Sequence, residues 1–267
     1  MTILQAAILG LVQGITEFLP ISSTAHLRLV PAVLSWPDGG AAFAAVIQLG
    51  TLLAVIGFFL RDLVRMIAAA ANPATRRSFD ARMLLYIVAG TVPIGVVGLL
   101  AKHAIEGPLR SILVIAISMV VVALVMAIVE RTARHERPVE AFTLRDAMIV
   151  GLAQCLALVP GTSRSGITLI AAMILGYRRD AAARFSFLLS IPAVAAAGVF
   201  ELPKLLHGHE VGTTALVIGL ATAAVSGYLA VAWLLRFLRT RTTYGFVVYR
   251  VVVGLALIAA VLVGKIH

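Results

Sequence analysis

Two short stretches of this chain place reactive side chains inside apolar sequence. The first, TEFLPISSTAH (16–26), carries Glu17, Ser22, Ser23, Thr24 and His26, with Gln13 one helical turn before the glutamate. A carboxylate and an amide oxygen at that spacing suit a hard divalent ion held beside a phosphate, or a positioned water. Ser23 and His26 share a helix face. That suits a nucleophile with its general base, or a histidine that protonates a leaving group. Ser22 or Thr24 also suits the N-cap of a following helix.

The second stretch, PGTSRSGIT (160–168), centres on Arg164 with Ser163, Ser165 and Thr168 around it. A guanidinium in an apolar region is costly unless paired, and its fork of donors matches phosphate oxygens better than an ammonium does. Arg164 therefore reads either as a phosphate ligand or as an ion-pair partner of Glu17 that locks the two stretches together. The three hydroxyls beside it favour phosphate. The helices resuming after each stretch, AHLRLVPAVL and ITLIAAMILG, would point free backbone N–H groups and a positive dipole end at an anion.

The surrounding chain must hold these stretches in a membrane. Of 267 residues, 61% are hydrophobic and 13% charged, which predicts an all-α integral membrane protein. The net charge of +10 does not indicate nucleic acid, because the basic residues fall between hydrophobic runs instead of clustering on a soluble face. The lone Cys155 lies in an apolar run and excludes an internal disulfide. No removable signal peptide is expected, since the first apolar segment lacks a charged leader and carries Glu17.

Six apolar stretches are long enough to cross a bilayer, roughly 41–60, 83–101, 112–130, 182–200, 213–235 and 244–264. Two further regions, 3–34 and 145–176, are broken near their middles by LPISST and VPGTSRSG, so neither half spans. Proline removes a donor and expels its predecessor from helical geometry. Irregular backbone at membrane depth needs protein or a watery cavity around it. Both regions are therefore expected to be re-entrant helical hairpins.

Of the 22 lysines and arginines, fifteen follow residues 60, 130, 176 and 235 on one side, against five (Arg28, Lys102, Arg110, Lys204 and Lys265) on the other. Arg164 and Arg250 lie within apolar segments; Arg250 is expected to snorkel or to make a structural contact. This bias places both termini outside the cell. Pro20 and Pro160 lie 140 residues apart, and aligning them sets Ser22 on Thr162 and Ser23 on Ser163. Three spans separate the hairpins, so the chain is expected to be a single domain, 1–267, of two inverted repeats, 1–130 and 141–267, whose tips meet near the midplane.

QGITEFLPISSTAH (13–26) and PGTSRSGIT (160–168) closely resemble the two signature segments of the bacterial undecaprenyl-diphosphate phosphatases, the bacitracin-resistance family, and VIQLG (46–50), QCLAL (154–158) and FSFLLSIP (185–192) are similar to further family segments. The resemblance covers essentially the whole chain. It implies hydrolysis of undecaprenyl diphosphate to the monophosphate and phosphate, recycling the lipid carrier of peptidoglycan synthesis, in the bacterial inner membrane with the site facing the periplasmic side. It implies Glu17 as the essential acid, Gln13 as its partner, Ser23 and His26 as candidates for attack and proton transfer, and Ser163, Arg164, Ser165 and Thr168 as diphosphate ligands, joined by Ser22 and Thr24. It also implies a divalent cation, magnesium or calcium, held by Glu17 and Gln13 or carried in by the substrate. Gln13 stands where many members have glutamate, and Ala44 where some have glutamate, so any metal site here has less negative charge. Homodimerisation stays open, as does the choice among Ser23, His26 and water as nucleophile. The competing reading from another class is a transporter of a phosphorylated polyprenyl lipid, since broken helices in inverted repeats also build transport sites.

Overall fold

The computed structural model describes residues 1–36, 40–101, 111–207 and 212–264, with side chains described at 1–36, at 43–44, from 46 to 198 within those ranges, and from 212. Lys102, His103, Arg110, His209, Lys265 and His267 lie outside the described residues, and the side chains of Lys204 and His207 are likewise outside them. Among the described residues the structure is helical, with one isolated bridge, Arg137 to Tyr177, in place of any sheet.

The first broken region folds as helix α1 (Ile3–Phe18), a turn, and helix α2 (Ser23–Leu34). Thr2 and Gln5 close a capping box at the start of α1, and α1 stops where Pro20 denies its backbone an N–H donor. Helices α3 (Gly40–Phe58), α4 (Leu60–Ala71), α5 (Phe79–Leu100) and α6 (Ile112–Thr132) follow. The second broken region is α7 (Leu144–Gln154), a 3₁₀ turn (Cys155–Leu158) and α8 (Arg164–Ile174). Helices α9 (Arg179–His207), α10 (Thr213–Leu238) and α11 (Tyr244–Leu262) complete the chain. Helices α5, α6, α9, α10 and α11 are long and apolar enough to cross a membrane, and α3 covers the sixth expected span.

Two expectations change. The stretch after residue 60, to which the sequence reading assigned no element, is helical as α4, with Met66 buried and Leu60, Val64 and Ile67 exposed on one face, so it is amphipathic. The two re-entrant helices begin at Ser23 and Arg164, which are 141 residues apart (164 − 23), one more than the proline spacing. Ser22 therefore corresponds to Ser163, and Ser23 to Arg164. The proline alignment is off by one because Gly161, at φ +92°, and Thr162 both separate Pro160 from the N-cap Ser163, whereas Ile21 alone separates Pro20 from the N-cap Ser22.

Helix α1 packs on α10, and α7 packs on α5, so each hairpin is held mainly by the other half of the chain. The approach is close enough to require glycine. A Cβ on Gly14 would lie 2.6 Å from the carbonyl oxygen of Ala223, and one on Gly151 would lie 2.2 Å from that of Gly90. Helix α6 packs on α11 and α3 on α9. At the arginine-rich end, Glu130 accepts from both Arg179 and Thr243, while Asp146 accepts from Arg137, Tyr177 and Thr143. These carboxylates fix the connections that aim the hairpins.

Candidate active site

Both re-entrant helices start from a strained serine. Ser22 (φ 75°, ψ 96°) and Ser163 (φ 71°, ψ 111°) are N-caps in a left-handed region that non-glycine residues rarely adopt. Each hydroxyl accepts from the backbone amide three residues on, Ala25 at 3.4 Å and Gly166 at 3.2 Å. The earlier amides of each helix have no intrahelical acceptor. Two positive helix ends are thereby brought to one place.

Glu17, at the end of α1, joins them. Its Oε1 is ion-paired with Arg164, the first residue of α8. Its Oε2 accepts from the hydroxyl of Ser23, the first residue of α2, at 2.7 Å, and from the amide of Gln13 at 2.7 Å. The carboxylate is 5% exposed and the guanidinium 18%. The sequence left two roles for Arg164, and the geometry adopts the ion pair with Glu17. Beside that pair lies a cavity of about 190 Å³, whose polar wall is Glu17, Ser22, Ser23, Thr24, Gln48, Ser163 and Arg164.

Three of the expected residues are placed differently. The hydroxyl of Ser165 donates to the carbonyl of Leu19 at 3.1 Å, stitching the second hairpin to the first turn. Thr168 is fully buried, donates to the carbonyl of Arg164 at 2.8 Å and bonds the Ser186 hydroxyl at 2.5 Å. Neither lines the cavity, because helical periodicity turns these side chains toward α9 and the turn once Arg164 faces Glu17. His26 is not bonded to Ser23. Its Nδ1 bonds the carbonyl of Ser22 at 2.7 Å and its Nε2 the hydroxyl of Tyr249, on whose ring it stacks. The group in contact with Ser23 is Glu17.

Sequence reasoning gave no role to Gln48 or Tyr249, and it left Arg250 between snorkelling and structure. Arg250 is fully buried and does not reach the surface. Its guanidinium donates to the carbonyls of Pro20 (3.0 Å), Gly161 (3.0 Å), Thr162 (3.2 Å) and Met119 (3.2 Å). One side chain thus grips the backs of both turns. The signal available was a guanidinium at membrane depth with no acidic residue at helical spacing.

A divalent ion fits this donor set poorly. Among the described residues, Glu17 is the one carboxylate on the cavity wall, both its oxygens are engaged, and one of them faces a guanidinium. Gln13 adds a single buried, unpartnered Oε1. Among the described residues no three acidic, histidine or cysteine side chains converge on one point. A hard cation prefers six or more oxygens.

Comparison with known proteins accords with this geometry. The family described as Bacitracin resistance protein BacA matches residues 6–256. The undecaprenyl-diphosphatase of Myxococcus xanthus is 49% identical over 271 residues, covering 100% of this chain and 91% of that protein. Those of Synechococcus elongatus (47% identical; 98% of this chain, 94% of the relative) and a Nocardioides species (46% identical; 98% of each) are similar over comparable lengths.

Proposed function

Matched from end to end, the chain belongs to the BacA bacitracin resistance family, and on that premise we propose that it is an undecaprenyl-diphosphate phosphatase. It removes the terminal phosphate of undecaprenyl diphosphate, regenerates the monophosphate carrier for peptidoglycan synthesis and so confers bacitracin resistance. It is a multi-pass protein of the bacterial inner membrane, oriented by its basic connections with the site open to the outer side.

The observation that carries this reading is the triad of Glu17, Ser23 and Arg164 at the junction of two helix N-termini beside a cavity. Glu17 holds the anion seat in the absence of substrate. An arriving diphosphate competes for Arg164 and for the free amides of α2 and α8, and a doubly charged phosphate wins over one carboxylate. Glu17, released from Arg164 but still bonded to Ser23, then takes the hydroxyl proton as Oγ attacks the terminal phosphorus. The bond from phosphorus to the bridging oxygen breaks and undecaprenyl phosphate leaves. Glu17 passes that proton to the departing phosphate, and water then cleaves the phosphoserine, giving its proton to Glu17, which returns it to Ser23 Oγ as the P–Oγ bond breaks. Arg164 and the helix ends stabilise the equatorial oxygens throughout. His26, engaged at both ring nitrogens, positions the Ser22 turn.

Because the residues present do not make an ion site by themselves, no step is assigned to a protein-held metal, and a divalent cation enters as a complex with the diphosphate. The test is phosphate release from undecaprenyl diphosphate by detergent-purified protein. Release without any vesicle compartment is expected, and it separates hydrolysis from transport. Arg164→Ala and Ser23→Ala should each lose it; wild-type rates in Ser23→Ala would exclude the covalent serine route.

A further inference from the structure

The cavity has a second, apolar wall that the chemistry does not use. Besides Glu17 and Arg164, the cavity is lined by Ile94 of α5, Ala157 and Leu158 of the 3₁₀ turn, and Ala193 and Ala197 of α9. Ile94 follows Pro93 and Ala193 follows Pro192, so each helix loses one backbone hydrogen bond in the turn that borders the cavity. Among the described residues, a Cβ added at Gly95 would meet nothing within 4 Å, and one at Gly98 would meet only Leu158 Cδ2, at 3.8 Å. Ala197, Gly95, Val96 and Val97 are exposed where lipid would lie. Ala193 and Ala197 on one side, and Ile94 and Gly98 on the other, are each spaced by four and so mark out a slot about 6 Å long, one helical turn.

The geometry points to this slot between α5 and α9 as the lateral exit for the polyprenyl tail, with Gly98, Ala193 and Ala197 as the residues that keep it open. This rests on the phosphatase reading. A cavity of about 190 Å³ seats the diphosphate and the first carbons, and an undecaprenyl chain must continue into lipid through an apolar opening in its wall. The competing path is the apolar groove of about 340 Å³ between α3 and α10, lined by Leu53, Ala54, Ala224, Val225, Tyr228 and Leu229. That groove is larger, but it shares no residue with the phosphate cavity. A tail seated there would first have to leave the phosphate cavity through some other opening. Small residues at 98, 193 and 197 have their use in the slot, where a larger side chain would meet the chain rather than protein.

The test is photocrosslinking of wild-type protein with an undecaprenyl diphosphate analogue bearing a diazirine on its second isoprene unit, followed by peptide mapping. Label is expected within 94–98 and 193–197; label concentrated at Leu53 or at 225–229 overturns the inference. In parallel, Gly98→Leu and Ala197→Phe, both at open positions, should lower kcat/KM for undecaprenyl diphosphate about tenfold or more, while Ala224→Phe in the competing groove leaves it unchanged. The reverse pattern likewise overturns it. Wild-type protein that releases no phosphate would sink the phosphatase reading instead, so the two failures are distinguishable.

Discussion

Replacing Arg250 with methionine separates two opposed physical effects at the centre of the molecule. The guanidinium is fully buried and, among the described residues, no carboxylate is bonded to it, so its desolvation is costly and is offset by carbonyl dipoles. Arg250→Met removes that cost but strands the turn carbonyls of Pro20, Gly161 and Thr162, whereas that of Met119 keeps its partner within α6. A buried acceptor left unpaired costs about 1–3 kcal/mol. Even if one of the three finds a new partner, the loss is roughly 2 kcal/mol or more. The expected outcome is a melting temperature several degrees lower in detergent. The catalytic loss should exceed the stability loss, because the same carbonyls set where Ser22 and Ser163 aim the two helix ends, and a displacement of about 1 Å costs on the order of a hundredfold in rate. The assay pairs thermal unfolding with steady-state phosphate release, and kcat should fall more than KM rises. Arg250→Lys, with three donors on a shorter head, should recover part of both. A methionine variant that melts at or above the wild-type temperature and keeps full turnover would refute the argument, since it would mean that desolvation outweighs the turn contacts.

The remaining expectations probe the other contacts. Glu17→Gln should abolish turnover yet bind inorganic diphosphate several-fold more tightly than wild type, because the carboxylate no longer competes for Arg164; weaker binding in isothermal titration would contradict the proposed exchange. Gly14→Ala should destabilise the α1–α10 contact by about 1–3 kcal/mol through overpacking, seen as a lower melting temperature. Asp146 opens α7 at the arginine-rich end, outside the crossing helices. Burial raises its pKa, but hydrogen bonds from Tyr177, Arg137 and Thr143 outweigh that and leave it lowered. A lowered folded-state pKa contributes stability above the ordinary carboxylate range that is lost as pH falls through the folded value. Asp146→Asn should therefore flatten the acid limb of a melting-temperature profile, and an unchanged limb counts against the assignment. Substrate-free protein should show no saturable magnesium binding at millimolar concentration, whereas chelator should suppress turnover; tight binding by the free protein would restore Glu17 and Gln13 as ion ligands.

The sequence by itself determined the elements and the broken regions. Proline and small hydroxyls inside apolar runs interrupt helices wherever they stand, so the turns at 19–22 and 159–163 and the five long apolar helices were legible from local chemistry. It also marked Glu17, Ser23 and Arg164, because charge and hydroxyls at membrane depth are costly without a use. It missed the amphipathic helix α4, whose burial of Met66 depends on α5 lying beneath it.

Tertiary structure alone decided the partners. That Glu17 bonds Ser23 and Arg164 while His26 bonds Ser22 and Tyr249, that Ser165 and Thr168 turn away from the cavity, and that Arg250 spans both turns are contacts between residues as many as 230 positions apart. Residue type states what a side chain is able to bond. Which group it meets depends on a one-residue register between the two helix starts and on the rotation of α11 against α6, and neither is written in the local sequence.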